Sequence, residues 1–256
     1  MTVSAFRKTL AASLVLALAG GCATKAKDQS EALFASLNQA AISSELSGDH
    51  ISAASHYQNL LKRQPDNKEI LLGLARNLRY TGNGRTAVEI MKSFAIQYSD
   101  DPAFLIEFGK AKLAVSEAQG AIQYLKKAIE KGGDDWQAYS ALGIGYDLLQ
   151  SYAEAWEAYE KALALSGNNP AVINNMALSA ALNGKLPLAI SVLENAPLEA
   201  RRHPQIRLNL ALLYGIKGDL KKAEALSRME LDEKAVRNNL AIYNRFSAGR
   251  GKTPSQ

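Results

Sequence analysis

The chain has 256 residues, 47% of them hydrophobic and 21% charged, with 7 prolines, 7% aromatic residues and a formal net charge of +5. This composition describes an ordered, helix-leaning chain, long enough for one or two compact domains or one solenoid, and too weakly basic to imply nucleic acid as a partner. A single cysteine, Cys22, excludes a disulfide within the chain.

Residues 1–21 have the layout of a secretory signal: Arg7-Lys8, an apolar run from Leu10 to Leu18, then small residues. The run is too short to span a bilayer as a helix. It ends in Leu18-Ala19-Gly20-Gly21-Cys22. This segment resembles the lipobox of bacterial lipoproteins, although Ala19 stands where that motif most often has Leu. The resemblance implies cleavage before Cys22 and a diacylglyceryl group on its thiol. Ala23 follows the cysteine, where Asp would favour inner-membrane retention, so the same resemblance implies the periplasmic face of the outer membrane. An ordinary secretory signal with an incidental cysteine is the weaker reading, because the only cysteine falls at the end of the apolar run. Each buried acyl methylene contributes about 0.8 kcal/mol, so several chains on Cys22 make a stable anchor. Removing Arg7 and Lys8 leaves a net charge of about +3. Residues 22–33 are then the lipidated cysteine and a small, polar tether. From Ala23 to Leu33 it reaches at most about 36–40 Å.

From Phe34 the chain repeats with a period of 34 residues and no insertion or deletion. The frames are 34–67, 68–101, 102–135, 136–169, 170–203 and 204–237. A small residue recurs in the first half of each, at Ala41, Ala75, Gly109, Gly143, Ala177 and Ala211. Another recurs in the second half, at Ala53, Ala87, Ala121, Ala155, Ala189 and Ala223. Large partners stand beside them, Leu142 and Tyr159 in the clearest frame, Trp136 to Asn169. They weaken to Ala40 in the first frame and Ser227 in the last, where terminal repeats are expected to be atypical. Pro102, Pro170 and Pro204 open frames, where proline suits the first turn of a helix. Gly48, Gly82, Gly184 and Gly218 mark the turn between the two helices of a frame. Ser116 and Gln150 replace glycine in the middle two frames, so those turns are expected to be built differently. An alanine-rich bundle with accidental periodicity would not hold six alanines in register.

This pattern resembles the tetratricopeptide repeat (TPR) over 34–237. The resemblance implies an all-α fold: a right-handed superhelix, or α-solenoid, of about six helix–turn–helix repeats. Asp232 is expected to cap a further helix over 232–248, whose Val236, Leu240, Tyr243 and Phe246 share one face and close the open end. Residues 249–256 form a polar tail.

In TPR proteins the first helix of each repeat lines the concave side. By that resemblance the groove takes Arg76, Arg79 and Lys110 in a mostly basic section, with Asn38 and Glu45. It then takes Ile106, Leu113, Ile144, Leu148, Leu178, Leu182, Leu208, Leu212 and Ile216 in an apolar one. Either these apolar side chains face a partner, such as an amphipathic helix, or a tight superhelix packs them against neighbouring helices. As a set they are assigned to the groove. Asn174, Asn175 and Asn209 resemble the asparagines with which some TPR proteins hold a peptide, but the Lys-and-Asn set of the chaperone carboxylate clamp is missing.

No catalytic pattern emerges. His50, His56 and His203 lack metal-ligand spacing, and neither a phosphate loop nor a nucleophile elbow occurs. Gly143-Ile144-Gly145 falls inside a helix and serves packing. The expectation is a binding protein with no cofactor, no metal and no small-molecule substrate, its partners being a protein and, through the lipid, the membrane. A lipobox, six repeats and the closing segment Asp232 to Tyr243 together resemble the TadD family of tight-adherence (Tad/Flp pilus) lipoproteins. That resemblance implies a pilotin-like assembly factor for the pilus secretin. The alternative is a lipoprotein scaffold for peptidoglycan hydrolases or other envelope assembly machinery.

Overall fold

The computed structural model describes residues 31–250. The signal, Cys22 and most of the tether and tail lie outside the described residues. Among the described residues there are helices and turns and no strand. The helices are α1 (31–46), α2 (His50–Arg63), α3 (Lys68–Tyr80), α4 (Gly84–Ser93), α5 (Pro102–Ala114), α6 (Ala118–Glu130) and α7 (Trp136–Leu148). They continue as α8 (Tyr152–Ser166), α9 (Pro170–Leu182), α10 (Leu186–Glu194), α11 (Leu198–Arg201), α12 (Pro204–Lys217), α13 (Leu220–Ser227) and α14 (Glu233–Arg250). The chain divides into two compact units, one through Met91 and one from Lys92.

The helices start where the 34-residue spacing places them. Asn67, Asp101, Asp135 and Asn169 stand one residue before α3, α5, α7 and α9. Each side chain accepts a first-turn backbone N–H, at 2.9–3.2 Å. Such a cap is worth about 1 kcal/mol and fixes where the helix begins. Proline at the first position of α5, α9 and α12 adds a preset φ at no hydrogen-bond cost.

The six turns within the hairpins are also alike, which corrects the expectation for the middle two. Ser116 (φ 61) and Gln150 (φ 58) adopt the same left-handed conformation as Gly82 (φ 77) and Gly184 (φ 73). The residue after each sends its N–H back to the last turn of the helix. Glu117 N–H reaches Lys112 O and Ser151 N–H reaches Tyr146 O, both at 2.9 Å, as Asn83 N–H reaches Leu78 O at 2.8 Å. The helix terminus demands that geometry whatever residue occupies it, and Ser and Gln accept the strain.

In the second unit α5 pairs with α6, α7 with α8, α9 with α10 and α12 with α13. Each second helix also packs on the following first helix, and the first helices α5, α7, α9 and α12 lie side by side. Ala121, Ala155, Ala189 and Ala223 are fully buried at these contacts. Only small residues allow the approach: a Cβ on Gly143 would stand 2.5 Å from the Tyr159 ring, and one on Gly109 2.7 Å from Leu125 Cγ. The first unit is built likewise, with Ala41, Ala53, Tyr57, Leu60, Ile70 and Leu74 as its core and the Tyr57 ring seated against Gly73.

Asp232 caps α14 by accepting the Ala235 N–H at 2.8 Å. Val236 and Tyr243 are buried, and Leu240 packs against the core of α9–α13. The Tyr243 ring lies on Gly215, where any Cβ would collide with it. The α14 helix thus covers α12 and α13 through Val236, Leu240 and Tyr243, while the Phe246 side chain expected on the same face lies outside the described residues. Gly249 and Arg250, read from sequence as tail, fall within its last turn.

Candidate partner-binding face

In the second unit the apolar residues assigned to a groove come from the first helices: Ile144, Leu148, Leu178, Leu182, Leu212 and Ile216 at the ninth and thirteenth positions of their repeats, Ile106 and Leu208 at the fifth and Leu113 at the twelfth. Positions four apart share one helix face. The side-by-side packing of α7, α9 and α12 therefore sets Ile144, Leu148, Leu178, Leu182, Leu212 and Ile216 in adjacent pairs. Their exposure is graded. Ile144, Leu148 and Leu182 are 37%, 47% and 65% exposed, values high for such side chains on a packed helix. Leu178, Leu208, Leu212 and Ile216 are half-buried, and Leu212 lies against the core of α9–α14. Ile106 is buried in the core formed with Leu105, Ile122 and Leu142, so it lines no groove.

Arg76, Arg79, Lys110, Asn174 and Asn209 are engaged within the chain. Arg76 donates to Glu45 Oε1 at 2.7 Å in the first unit, and Tyr57 OH donates to the other oxygen at 2.9 Å. Burial, then the bond to Glu45, pushes the Tyr57 hydroxyl up to about 12. The Arg79 guanidinium lies over the Tyr80 ring, 4.8 Å from its centroid. In the second unit Lys110 Nζ donates to Gln137 Oε1 at 2.5 Å. Asn174 is buried and accepts from Asn209 Nδ2, so these amides tie α9 to α12 instead of standing open to a peptide. Asn175 is half-buried.

One constellation escaped the sequence reading. Asp147, beside Leu148, accepts from Tyr159 OH at 2.8 Å and from Ser179 Oγ at 2.6 Å, joining α7, α8 and α9. Burial raises its carboxyl above the ordinary 3.8, against the lowering effect of the bonds from Ser179 and Tyr159. Burial also raises the Tyr159 hydroxyl, with the Asp147 charge next in effect. The signal was present in the spacing: an acid twelve residues before a tyrosine occurs both here and at Glu45 and Tyr57. Among the described residues no group of three or more His, Cys, Asp or Glu is placed to hold a metal, and no helix is long and apolar enough to cross a membrane. His50 Nδ1 lies 2.8 Å from Asn77 Oδ1 with its ring stacked on Tyr80, a structural role.

Residues 106–170 match a family model described as the tetratricopeptide repeat. Among solved structures, a thermophilic TPR protein of Thermus thermophilus is 20% identical with a TM-score of 0.64, covering 70% of this chain and 98% of that one. A chain of the APC/C hetero-tetramer Cut9–Hcn1 is 16% identical with a TM-score of 0.60, over 78% of this chain and 40% of its own. MamA from residue 41 onward, of Desulfovibrio magneticus RS-1, is 16% identical with a TM-score of 0.52, over 66% of this chain and 95% of its own. No curated protein matches the sequence. These likenesses establish the fold: TPR-type helical hairpins, repeated along the chain. TPR hairpins serve as scaffolds for protein–protein interaction, and no catalytic family accompanies them here.

Proposed function

We propose that the chain is an adaptor held by lipid on Cys22 at the periplasmic face of the outer membrane, serving Tad/Flp pilus biogenesis. Its role would be pilotin-like, assisting the pilus secretin to localise or assemble. The observation that carries the binding part is the exposure of Ile144, Leu148 and Leu182 on neighbouring first helices. Large exposed apolar residues in a row mark an interaction surface. Burying what remains exposed of each such side chain contributes about 0.5–2 kcal/mol, so the three together favour an amphipathic helix of a client. The assignment to the Tad system is supported by the likeness to TadD in the lipobox, repeat number and closing segment.

The test is co-purification from detergent-solubilised envelopes. The native chain is expected to recover the secretin. Leu148→Glu with Leu182→Glu is expected to lose it at least about ten-fold, because a carboxylate against an apolar client costs well over about 1.4 kcal/mol. Recovery of peptidoglycan hydrolases with no secretin would replace this reading with the scaffold alternative. For the anchor, Cys22→Ser is expected to move the protein from the membrane to the soluble fraction, and retention on the membrane would contradict lipidation.

A further inference from the structure

The fifth repeat departs from the third and fourth. Its second helix, α10, has 9 residues where α6 has 13 and α8 has 15, close to the 10 of α4 and the 8 of α13. Pro197 turns the chain into the four-residue α11 before α12 begins. The missing turns leave a cavity of ≈ 480 Å³, within the class of about 300–1,000 Å³ that holds a side chain or small ligand. Its floor is the buried Leu193, Ile206 and Leu210. Leu198 and Met229 stand at its rim, 51% and 68% exposed. Arg201 and Arg202 line the same cavity, and both are exposed. Its third arginine is committed: Arg207 Nε pairs with Glu230 at 2.5 Å, and Nη1 donates to Arg201 O at 3.2 Å. The cavity's one carboxylate, Glu194, accepts from Tyr214 OH. Positive charge is therefore in excess around an apolar floor.

We infer that this cavity between α10 and α13 is a second peptide site, which takes a bulky apolar side chain flanked by acidic residues. The apolar anchor fills the floor over Leu193 and Ile206, and carboxylates beside it meet the Arg201 and Arg202 guanidinium groups. Charge complementarity selects this occupant. An uncharged segment would leave two guanidinium groups at the mouth without anions, and a basic one would be repelled. Guanidinium–carboxylate pairs of this kind are charge-assisted and among the stronger hydrogen bonds. The cavity's residues lie outside the ninth and thirteenth positions of the repeats, so the site is independent of the row containing Leu148 and Leu182.

The test selects peptides of about twelve residues from a random displayed library on the immobilised full chain carrying Leu148→Glu and Leu182→Glu, which removes binders of that row. Enriched peptides are then measured by fluorescence anisotropy on that chain and on one also carrying Arg201→Glu and Arg202→Glu. Enrichment of an aromatic or leucine residue next to Asp or Glu is expected. Binding should weaken at least about ten-fold on charge reversal, and also with Met229→Glu. Failure of any peptide to enrich, an enriched set without acidic bias, or equal binding to the charge-reversed chain overturns the proposal. If thermal melting shows that the reversed chain is unfolded, Arg201→Gln with Arg202→Gln takes its place. A loss of at least about three-fold is then expected, and no loss overturns the proposal.

Discussion

Gly143 has no room for even one more carbon. A Cβ there would stand 2.5 Å from the ring of Tyr159, which is itself buried and bonded to Asp147. Gly143→Ala is therefore expected to destabilise by about 1–3 kcal/mol through overpacking, even though alanine is the better helix former. A thermal melt at or above the native midpoint would contradict this. Ser116 and Gln150 present the opposite case. Each holds a left-handed conformation that costs an L-residue about 1–2 kcal/mol. Replacing either with glycine removes that strain but adds freedom to the unfolded chain, so a net gain of about 0.5–1 kcal/mol is expected per site. A lowered melting midpoint for both would show that the Ser and Gln side chains stabilise these turns in some other way. The spacing of small residues was legible because packing admits nothing larger. The conformation of Ser116 and Gln150 was not, because it is imposed by the helix end and not by the residue.

At the scale of the element, the seam joining α7, α8 and α9 depends on one carboxyl. Asp147 holds its proton more tightly in the folded chain than at its ordinary value of 3.8, because burial outweighs the bonds from Ser179 and Tyr159. A raised carboxyl value means that the folded chain binds more protons than the unfolded one across that window. The contribution to stability is therefore fullest below the unfolded value and declines as pH rises through the folded one. Asp147→Asn keeps the shape without the charge. Its stability relative to the native chain is expected to improve as pH rises from about 3.8 and then level off, in denaturant titrations at successive pH values. A relative stability that falls with pH would overturn the burial argument. The helix starts at this scale were fully legible in principle: Asn67, Asp101, Asp135 and Asn169 stand one repeat apart before α3, α5, α7 and α9. Pro197, three residues past the end of α10, starts the short α11 instead of continuing the helix. The cavity that the short α10 opens could not be read, because it depends on which side chains of α12 and α13 fail to fill it.

Across the molecule, a fixed 34-residue spacing places every first helix of the second unit beside the next, and this is what turns scattered leucines into a row. The period set the location of Ile144, Leu148 and Leu182 and of the more deeply placed Leu208 and Leu212. It could not set their exposure, which depends on the size of neighbours contributed by adjoining repeats. Ile106 occupies an equivalent helix face yet lies in the core with Ile122 and Leu142. Likewise, Asn174 and Asn209 were legible as polar residues on first helices, but their bond to each other only follows once α9 and α12 are side by side. To act as a scaffold, the chain must have that row occupied by another protein. The most direct measurement is photocrosslinking in cells from single probes at Leu148 and Leu182, with a probe at the exposed Glu160 of α8 for comparison. Adducts with one envelope protein are expected from Leu148 and Leu182 and not from Glu160. No adduct from either leucine position, or the same adducts from Glu160, would contradict the assignment of this face to a partner.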